Sequence, residues 1–140
     1  MVGIGCGARS YTRGLHYSSE YAVGAPGVRA IVDDYINRPG ESFASAAYGF
    51  ALDADDQRRR YLIQSLLQIE GLDLAAYRWR FGGEALHDYP ELAELASHDF
   101  AVTTATHLRL TEAGLEQSDT IGPWLYSASV RRQMESYELR

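Results

Sequence analysis

Gly3-Ile4-Gly5-Cys6-Gly7-Ala8 wraps three glycines around the chain's only cysteine. The run nearly fits the dinucleotide pattern G-x-G-x-x-A, which works only where a strand meets a helix and backbone N–H groups face pyrophosphate. Arg9-Ser10-Tyr11-Thr12 starts no periodic helix. Two readings remain: a plain tight turn, and a glycine turn that lets backbone approach a ligand. A catalytic thiol at Cys6 would need a neighbouring cation to lower its pKa, and Arg9 is the close one; the favoured reading of Cys6 is a small buried residue. The four histidines stand at 16, 87, 98 and 107 and form neither H-x-x-x-H nor H-E-x-x-H. No helix face therefore presents two of them to a metal. His98 and His107 could approach only across a hairpin, and surface imidazoles are the expectation. All thirteen basic residues are arginine, which removes Schiff-base chemistry and the P-loop lysine. There is no G-x-S-x-G elbow and no helix with paired inward carboxylates, so no catalytic residue is assigned. Arg58-Arg59-Arg60, preceded by Asp53, Asp55 and Asp56, reads as a solvated helix face with i,i+3 and i,i+4 ion pairs.

The elements around these residues differ between the two ends of the chain. Val2–Gly7 reads as a short strand entering a turn, followed by extended chain around residues 15–23. Pro26 suits the first turn of a helix, because its missing N–H would be unpaired there. Val28, Ile31, Val32, Tyr35 and Ile36 then recur at helical spacing until Asn37-Arg38-Pro39-Gly40. Residues 41–52 read as a connecting loop anchored by Phe43, Tyr48 and Phe50. Asp53 is the expected N-cap of a helix whose buried stripe is Leu62, Ile63, Leu66 and Leu67, with Gly71 ending it. Asp73 caps a short helix carrying Leu74, Tyr77 and Phe81, closed by Gly82. Pro90 opens a third, with Leu92, Leu95 and Ala96 inward. Phe100–Thr106 and Leu108–Thr111 alternate as a hairpin would, with its turn near Ala105. Thr111 and Ser127 cap two further helices, the last with Val130, Met134 and Tyr137 on one face. The expected fold class is α+β, mainly α. Three helices, a two-stranded wing and a closing helix give residues 53–140 a winged-helix-like order.

At 140 residues and 15.6 kDa, the chain suffices for one domain, or one with an appendage. Apolar residues at 46% and charged ones at 23% rule out wholesale disorder. No run approaches the roughly 18 apolar residues of a membrane span, and no signal peptide opens the chain. A lone cysteine fits a reducing cytoplasm, the expected location. The formal charge is −6: residues 1–50 carry four arginines against four acids, and residues 51–140 nine against fifteen. That is a poor footprint for nucleic acid.

Gly3-Ile4-Gly5-Cys6-Gly7-Ala8-Arg9-Ser10 resembles the Gly-x-Gly-x-x-Ala-x-Ser turn late in the catalytic barrel of radical adenosylmethionine (SAM) enzymes of the oxygen-independent coproporphyrinogen III oxidase type. Gln57-Arg58-Arg59-Arg60-Tyr61-Leu62-Ile63-Gln64-Ser65-Leu66-Leu67 is similar to the Arg-Arg-x-x-Ile-x-x-Leu helix that opens that family's C-terminal domain. Gly71-Leu72-Asp73-Leu74, the Phe81-Gly82 helix end and Leu108-Arg109-Leu110-Thr111-Glu112-Ala113-Gly114-Leu115 follow in the family's order. The family's reductant is a 4Fe–4S cluster on a C-x3-C-x2-C triad early in the barrel. This chain has one cysteine, so the resemblance implies a C-terminal portion: residues 1–52 the end of a truncated barrel with a connecting helix, residues 53–140 the C-terminal domain. It further implies inactivity alone, and reaction only with the missing barrel portion, SAM and the cluster.

By the same resemblance, Gly3, Gly5, Ala8 and Arg9 lie beside SAM. In the family, a 5′-deoxyadenosyl radical takes hydrogen from a porphyrinogen propionate, which then loses carbon dioxide. Position 9 is usually apolar in such turns; here Arg9, with Arg13, can form bidentate pairs with substrate carboxylates. The substrate expected is tetrapyrrole-like. Two rival classes stand beside this one. A winged-helix nucleic-acid reader needs cations on its third helix and wing, where this chain has Glu91, Glu94 and only Arg109. A small tetrapyrrole-binding domain would use Tyr11, Tyr17 and Tyr21 with His16. The expected partners exclude nucleic acid and membrane. A strand over residues 2–7 would have unpaired edges, so residues 1–25 are expected to be mobile or to self-associate, with residues 53–140 as the stable core.

Overall fold

The computed structural model describes residues 1–18, 22, 24–46 and 48–136. They form mixed α/β structure, about half of it helical, in two compact units: Met1–Gln57 with Arg131–Arg140, and Arg58–Val130.

In the first unit the glycines make a turn, not a strand. The Ala8 N–H donates to the Gly5 carbonyl at 3.2 Å. Gly7, third in that turn, has φ +76°, the angle a type II turn demands of its third residue. Gly5 at φ +105° also lies outside strand geometry, so the strand expected over Val2–Gly7 does not form. The first strand, β1 (Arg9–Tyr11), begins beyond the glycines and pairs antiparallel with β2 (Leu15–Ser18). Thr12 closes their turn: its N–H donates to Leu15 O at 2.9 Å and its Oγ1 accepts from Leu15 N–H at 3.0 Å. Part of the segment expected to be a loop is instead β3 (Tyr48–Ala51), which pairs with β2 to give the order β1-β2-β3. Gly49 permits this, since a Cβ there would collide with the His16 carbonyl and Tyr17. A 3-10 helix, Gly40–Ala44, precedes it. The outer edge of β1 is not bare either. The Met1 amino group donates to Tyr11 O at 2.9 Å, and Tyr11 N–H donates to Met1 O at 2.8 Å.

Helix α1 (Ala25–Asn37) starts at Gly24 with proline in its first turn, as the sequence indicates. Its apolar stripe is not inward, however: none of its residues is buried, and Val28, Val32 and Ile36 are exposed.

Helix α2 (Ala54–Leu66) opens with a reciprocal cap. Asp53 Oδ1 accepts from Asp56 N–H at 2.8 Å, and Asp56 Oδ2 accepts from Asp53 N–H at 3.4 Å. In the second unit, Leu62 and Leu66 of α2 are fully buried, whereas Leu67, beyond the helix end, is exposed. A turn ending at Gly71 (φ +74°) leads into β4 (Leu72–Asp73). Asp73 caps α3 (Leu74–Phe81) by accepting from Ala75 N–H and Ala76 N–H at 2.8 and 2.9 Å. Gly82, left-handed at φ 73°, closes α3 through its N–H to Arg78 O. A four-residue helix, α4 (Ala85–Asp88), precedes α5 (Leu92–Ser97), which buries Leu92 and Leu95 but leaves Ala96 exposed. The hairpin is β5 (Ala101–Thr103) and β6 (His107–Leu110), and β6 also pairs with β4, giving the order β4-β6-β5. Its turn needs no glycine because Thr104 Oγ1 accepts from Thr106 N–H and His107 N–H. Thr111 caps α6 (Glu112–Glu116) through Gly114 N–H at 3.1 Å. Helix α7 (Ser118–Trp124) follows, then α8 (Ala128–Glu135), where Ser127 Oγ accepts from Val130 N–H at 3.1 Å. Tyr137, assigned from sequence to that last helix, lies outside the described residues. The core of this unit joins Leu62, Leu66, Leu72, Tyr77, Tyr89, Leu92, Leu95, Leu108, Ile121 and Leu125.

Candidate functional site

The residues singled out in the glycine turn have different surroundings. Gly3 donates its N–H to Ser10 Oγ at 3.0 Å. A Cβ on Gly3 would stand 2.6 Å from Arg9 O and 2.8 Å from the Ala8 Cβ, so its smallness serves the turn's own packing. Gly5 and Gly7 are the reverse, since nothing lies within 4 Å of where their Cβ atoms would be. Backbone can be approached there. Cys6 between them is exposed, contrary to the buried residue expected; the turn projects it outward as the second of its four residues. Ala8 is half-buried and Arg9 exposed. Arg9 begins β1, while Arg13 lies in the loop beyond its far end. Ser10, Tyr11 and Thr12 lie between them, and Thr12 closes the turn toward β2.

Beside the turn, the sheet register Tyr11↔His16↔Phe50 sets three rings on one face. Tyr11 and His16 stack with centroids 4.4 Å apart, and Phe50 meets His16 edge-on at 5.6 Å. The imidazole is thus packed between two neighbours and its Nε2 is buried. Tyr17 alternates to the other face, against Gly49, and Tyr21 lies outside the described residues.

The second unit holds features that the sequence reading missed. A cleft of about 150 Å³ is lined by Glu94, Leu95, His98, Phe100, Gln117, Thr120, Ile121 and Trp124. Its far wall is α7, which was not foreseen. Tyr77, fully buried, donates its hydroxyl to Asp88 Oδ2 at 2.8 Å. Burial, then the Asp88 hydrogen bond, pushes the phenol pKa up. Arg59 is not on a solvated face as expected. Its Nη1 reaches Glu91 Oε1 at 3.2 Å and Leu125 O at 3.0 Å, and its guanidinium lies 4.6 Å from the Tyr89 ring centroid. A guanidinium finds such partners because its stem can cross apolar surface to reach them. Arg78 pairs with Glu84 and holds that carboxyl below its usual range. His98 is exposed, and His107 shares a 3.0 Å contact with Thr106 Oγ1.

These helices and the sheet β4-β6-β5 are continuous in sequence, and that stretch is where the chain is similar to a known family. Residues 52–116 match the family model of the HemN C-terminal domain. No curated protein and no solved structure matches the chain. The match runs from Leu52 through α6, so it takes in the reciprocal Asp53–Asp56 cap, the Asp73 and Thr111 caps and the whole β4-β6-β5 sheet. The HemN family typically uses SAM and an iron–sulfur cluster. The residues here do not fit such a cluster: it is held by several cysteine thiolates, and the chain has one cysteine, which is exposed. Among the described residues no group of three His, Cys, Asp or Glu side chains could hold a metal ion, and no helix is long and apolar enough to cross a membrane.

Proposed function

We propose that this chain is the C-terminal part of a radical SAM oxidoreductase of the HemN type, acting on a tetrapyrrole-like substrate. The observation that carries the reading is the HemN C-terminal domain match over residues 52–116, preceded by the Gly3–Ser10 turn that resembles the family's SAM-side turn. The open space at Gly5 and Gly7 fits a ligand approaching backbone at that turn. SAM, when bound, would supply the adenosyl group from which such enzymes generate their oxidant. The cysteines that reduce it are not in this chain, so no reaction step is assigned to its residues. What they offer is position: Gly5 and Gly7 as bare backbone beside the cofactor, and Arg9 and Arg13 as exposed arginines, one at the start of β1 and one in the turn beyond it. Each can meet a substrate carboxylate as a bidentate cation. The order α2-β4-α3-α4-α5-β5-β6 supports a winged-helix-like reading of the domain, used here as a cover over a barrel and not as a reader of nucleic acid. Helix α5 offers Glu94 where a reader needs cations, and Arg109 of the hairpin already donates its Nε to Glu70 O at 2.8 Å.

The test adds the purified chain to a HemN-type radical SAM barrel that lacks its own C-terminal domain, under anaerobic reducing conditions, and measures 5′-deoxyadenosine. Turnover restored by the chain, and reduced by Arg9→Ala or Arg13→Ala, is the expected result. A chain that by itself takes up iron and sulfide as a stable 4Fe–4S cluster and cleaves SAM would overturn the proposal.

A further inference from the structure

A surface helix usually turns its apolar stripe toward the core that it covers. Helix α1 does so with only half of its stripe. Ile31 and Tyr35 are half-buried, and the Tyr35 ring meets Phe43 edge-on at 5.2 Å. Val28, Val32 and Ile36 form the other half, a single ridge spaced four residues apart, and are 45%, 38% and 71% exposed. The charges beside that ridge are ordered too. Asp34 pairs with Arg38 one turn on, which leaves Arg29 and Asp33 as the remaining charged groups of α1. Each follows a ridge residue by one position, about 100° round the helix, so both stand on the same flank of the ridge. Both are exposed, and among the described residues neither has an ion-pair partner.

A cation and an anion on one flank complement the same flank of an identical helix running the other way. A two-fold axis perpendicular to α1 brings like flank to like flank, and residue i of one copy meets j of the other as j meets i. Arg29 then faces Asp33 of the second copy, and Asp33 faces its Arg29. That pair is centred on position 31 and the ridge on position 32, about 1.5 Å apart along the helix, so one axis serves both. We propose that α1 packs antiparallel on α1 of a second copy of this chain, about a two-fold axis near Val32. Val32 meets its own equivalent, and Val28 lies against Ile36 of the second copy. A parallel pair would set the charged flank against the Ile31–Tyr35 side and leave both charges without a counterpart. The ridge supplies the attraction and the charges set the orientation, as flanking charges do in paired helices. Three apolar side chains from each copy make a small contact, so the dimer is weak and rapidly exchanging. The whole contact lies on α1, and the inference does not rest on the HemN reading.

Sedimentation velocity on the full chain, from micromolar concentrations to about 1 mM, tests it. The expected result is a mass that rises toward the dimer with concentration. Val32→Glu and Ile36→Glu, both at exposed helical positions, should each weaken association about tenfold, the scale of one lost anchor, with circular dichroism unchanged. Arg29→Glu and Asp33→Arg should each weaken it, because each flank then meets its own charge. The double variant should recover association, and so should an equimolar mixture of the two single variants. A chain that stays monomeric throughout overturns the proposal, as does association indifferent to these substitutions. Single variants whose mixture associates no better than either alone would overturn the pairing of α1 with α1. A monomer whose ridge is protected from hydrogen exchange only when a HemN-type barrel is added would give the ridge to that barrel, and the dimer would be refuted.

Discussion

Gly71 and Gly82 offer a controlled comparison of two costs that are usually mixed. Their backbones are nearly identical, at φ +74° and +73°, so alanine at either position pays about 1–2 kcal/mol for the left-handed conformation. The surroundings differ. A Cβ on Gly82 meets nothing within 4 Å, whereas on Gly71 it meets Leu108 O at 2.5 Å, Arg109 Cγ at 2.6 Å and Arg109 Cα at 3.0 Å. The Arg109 side chain can move, but the Leu108 backbone cannot easily do so. Leu108 is fully buried and pairs with Leu72, the residue next to Gly71. Overpacking of that kind adds about 1–3 kcal/mol. Gly82→Ala should therefore cost about 1–2 kcal/mol and Gly71→Ala about 2–5 kcal/mol. Urea unfolding followed by tryptophan fluorescence reads both, with half-buried Trp124 as reporter, and the comparison holds if m is unchanged while the midpoint falls. For a unit of this size each kcal/mol moves Tm by about 4–8 °C, so the two variants should separate by at least several degrees. Equal losses would refute the close approach of β6 to Gly71. A harmless Gly71→Ala would refute the left-handed turn as well.

Asp73→Ala should lower stability at neutral pH by uncapping α3, because the carboxylate accepts from Ala75 and Ala76 N–H. The Ala76 hydrogen bond first, then that of Ala75, holds the Asp73 carboxyl below its ordinary value of 3.8. A depressed folded-state pKa gives stability present above the unfolded pKa and lost as pH falls through the folded one. The difference between variant and parent should accordingly shrink only below about pH 4 in thermal melts. At the Tyr77–Asp88 pair, with Tyr77 buried and Asp88 half-buried, Asp88→Ala leaves a hydroxyl without that acceptor and should cost about 1–3 kcal/mol, while Tyr77→Phe should cost about 0.5–1.5 kcal/mol. A double variant that merely adds the two would show the pair uncoupled. In a haemin titration, His16→Ala should leave any Soret band unchanged, because the ring is packed between Tyr11 and Phe50; a lost band would make His16 an axial ligand.

Capping was legible in the sequence wherever one side chain satisfies a neighbouring N–H. Asp53, Asp73, Thr111 and Ser127 all cap where their types and spacing say they should, and Gly82 ends α3 as expected. These interactions span two to four residues, so local order contains them. The hairpin of β5 and β6 was legible from alternation, and the similarity of residues 52–116 to the HemN C-terminal domain from the order of these same short motifs. Burial was legible only where a stripe had something to cover it. Leu62, Leu66, Leu92 and Leu95 are inward, yet Val28, Val32 and Ile36, spaced just as well, are exposed. Periodicity states that a helix has an apolar face, never what that face meets. Tertiary structure alone decided that Arg59 leaves its own helix for Glu91 and the Leu125 carbonyl, 32 and 66 residues away. It alone turned Tyr48–Ala51 into a third strand, joined β4 to β6, and set α5 against α7 to open the cleft. Each of these depends on contacts between segments remote in sequence, where no local spacing rule applies. The candidate site divides in the same way. The glycine pattern marks a turn, but only the fold shows Gly3 filled by its own chain, Gly5 and Gly7 open, and Arg9 at the start of β1 with Arg13 in the turn beyond its end.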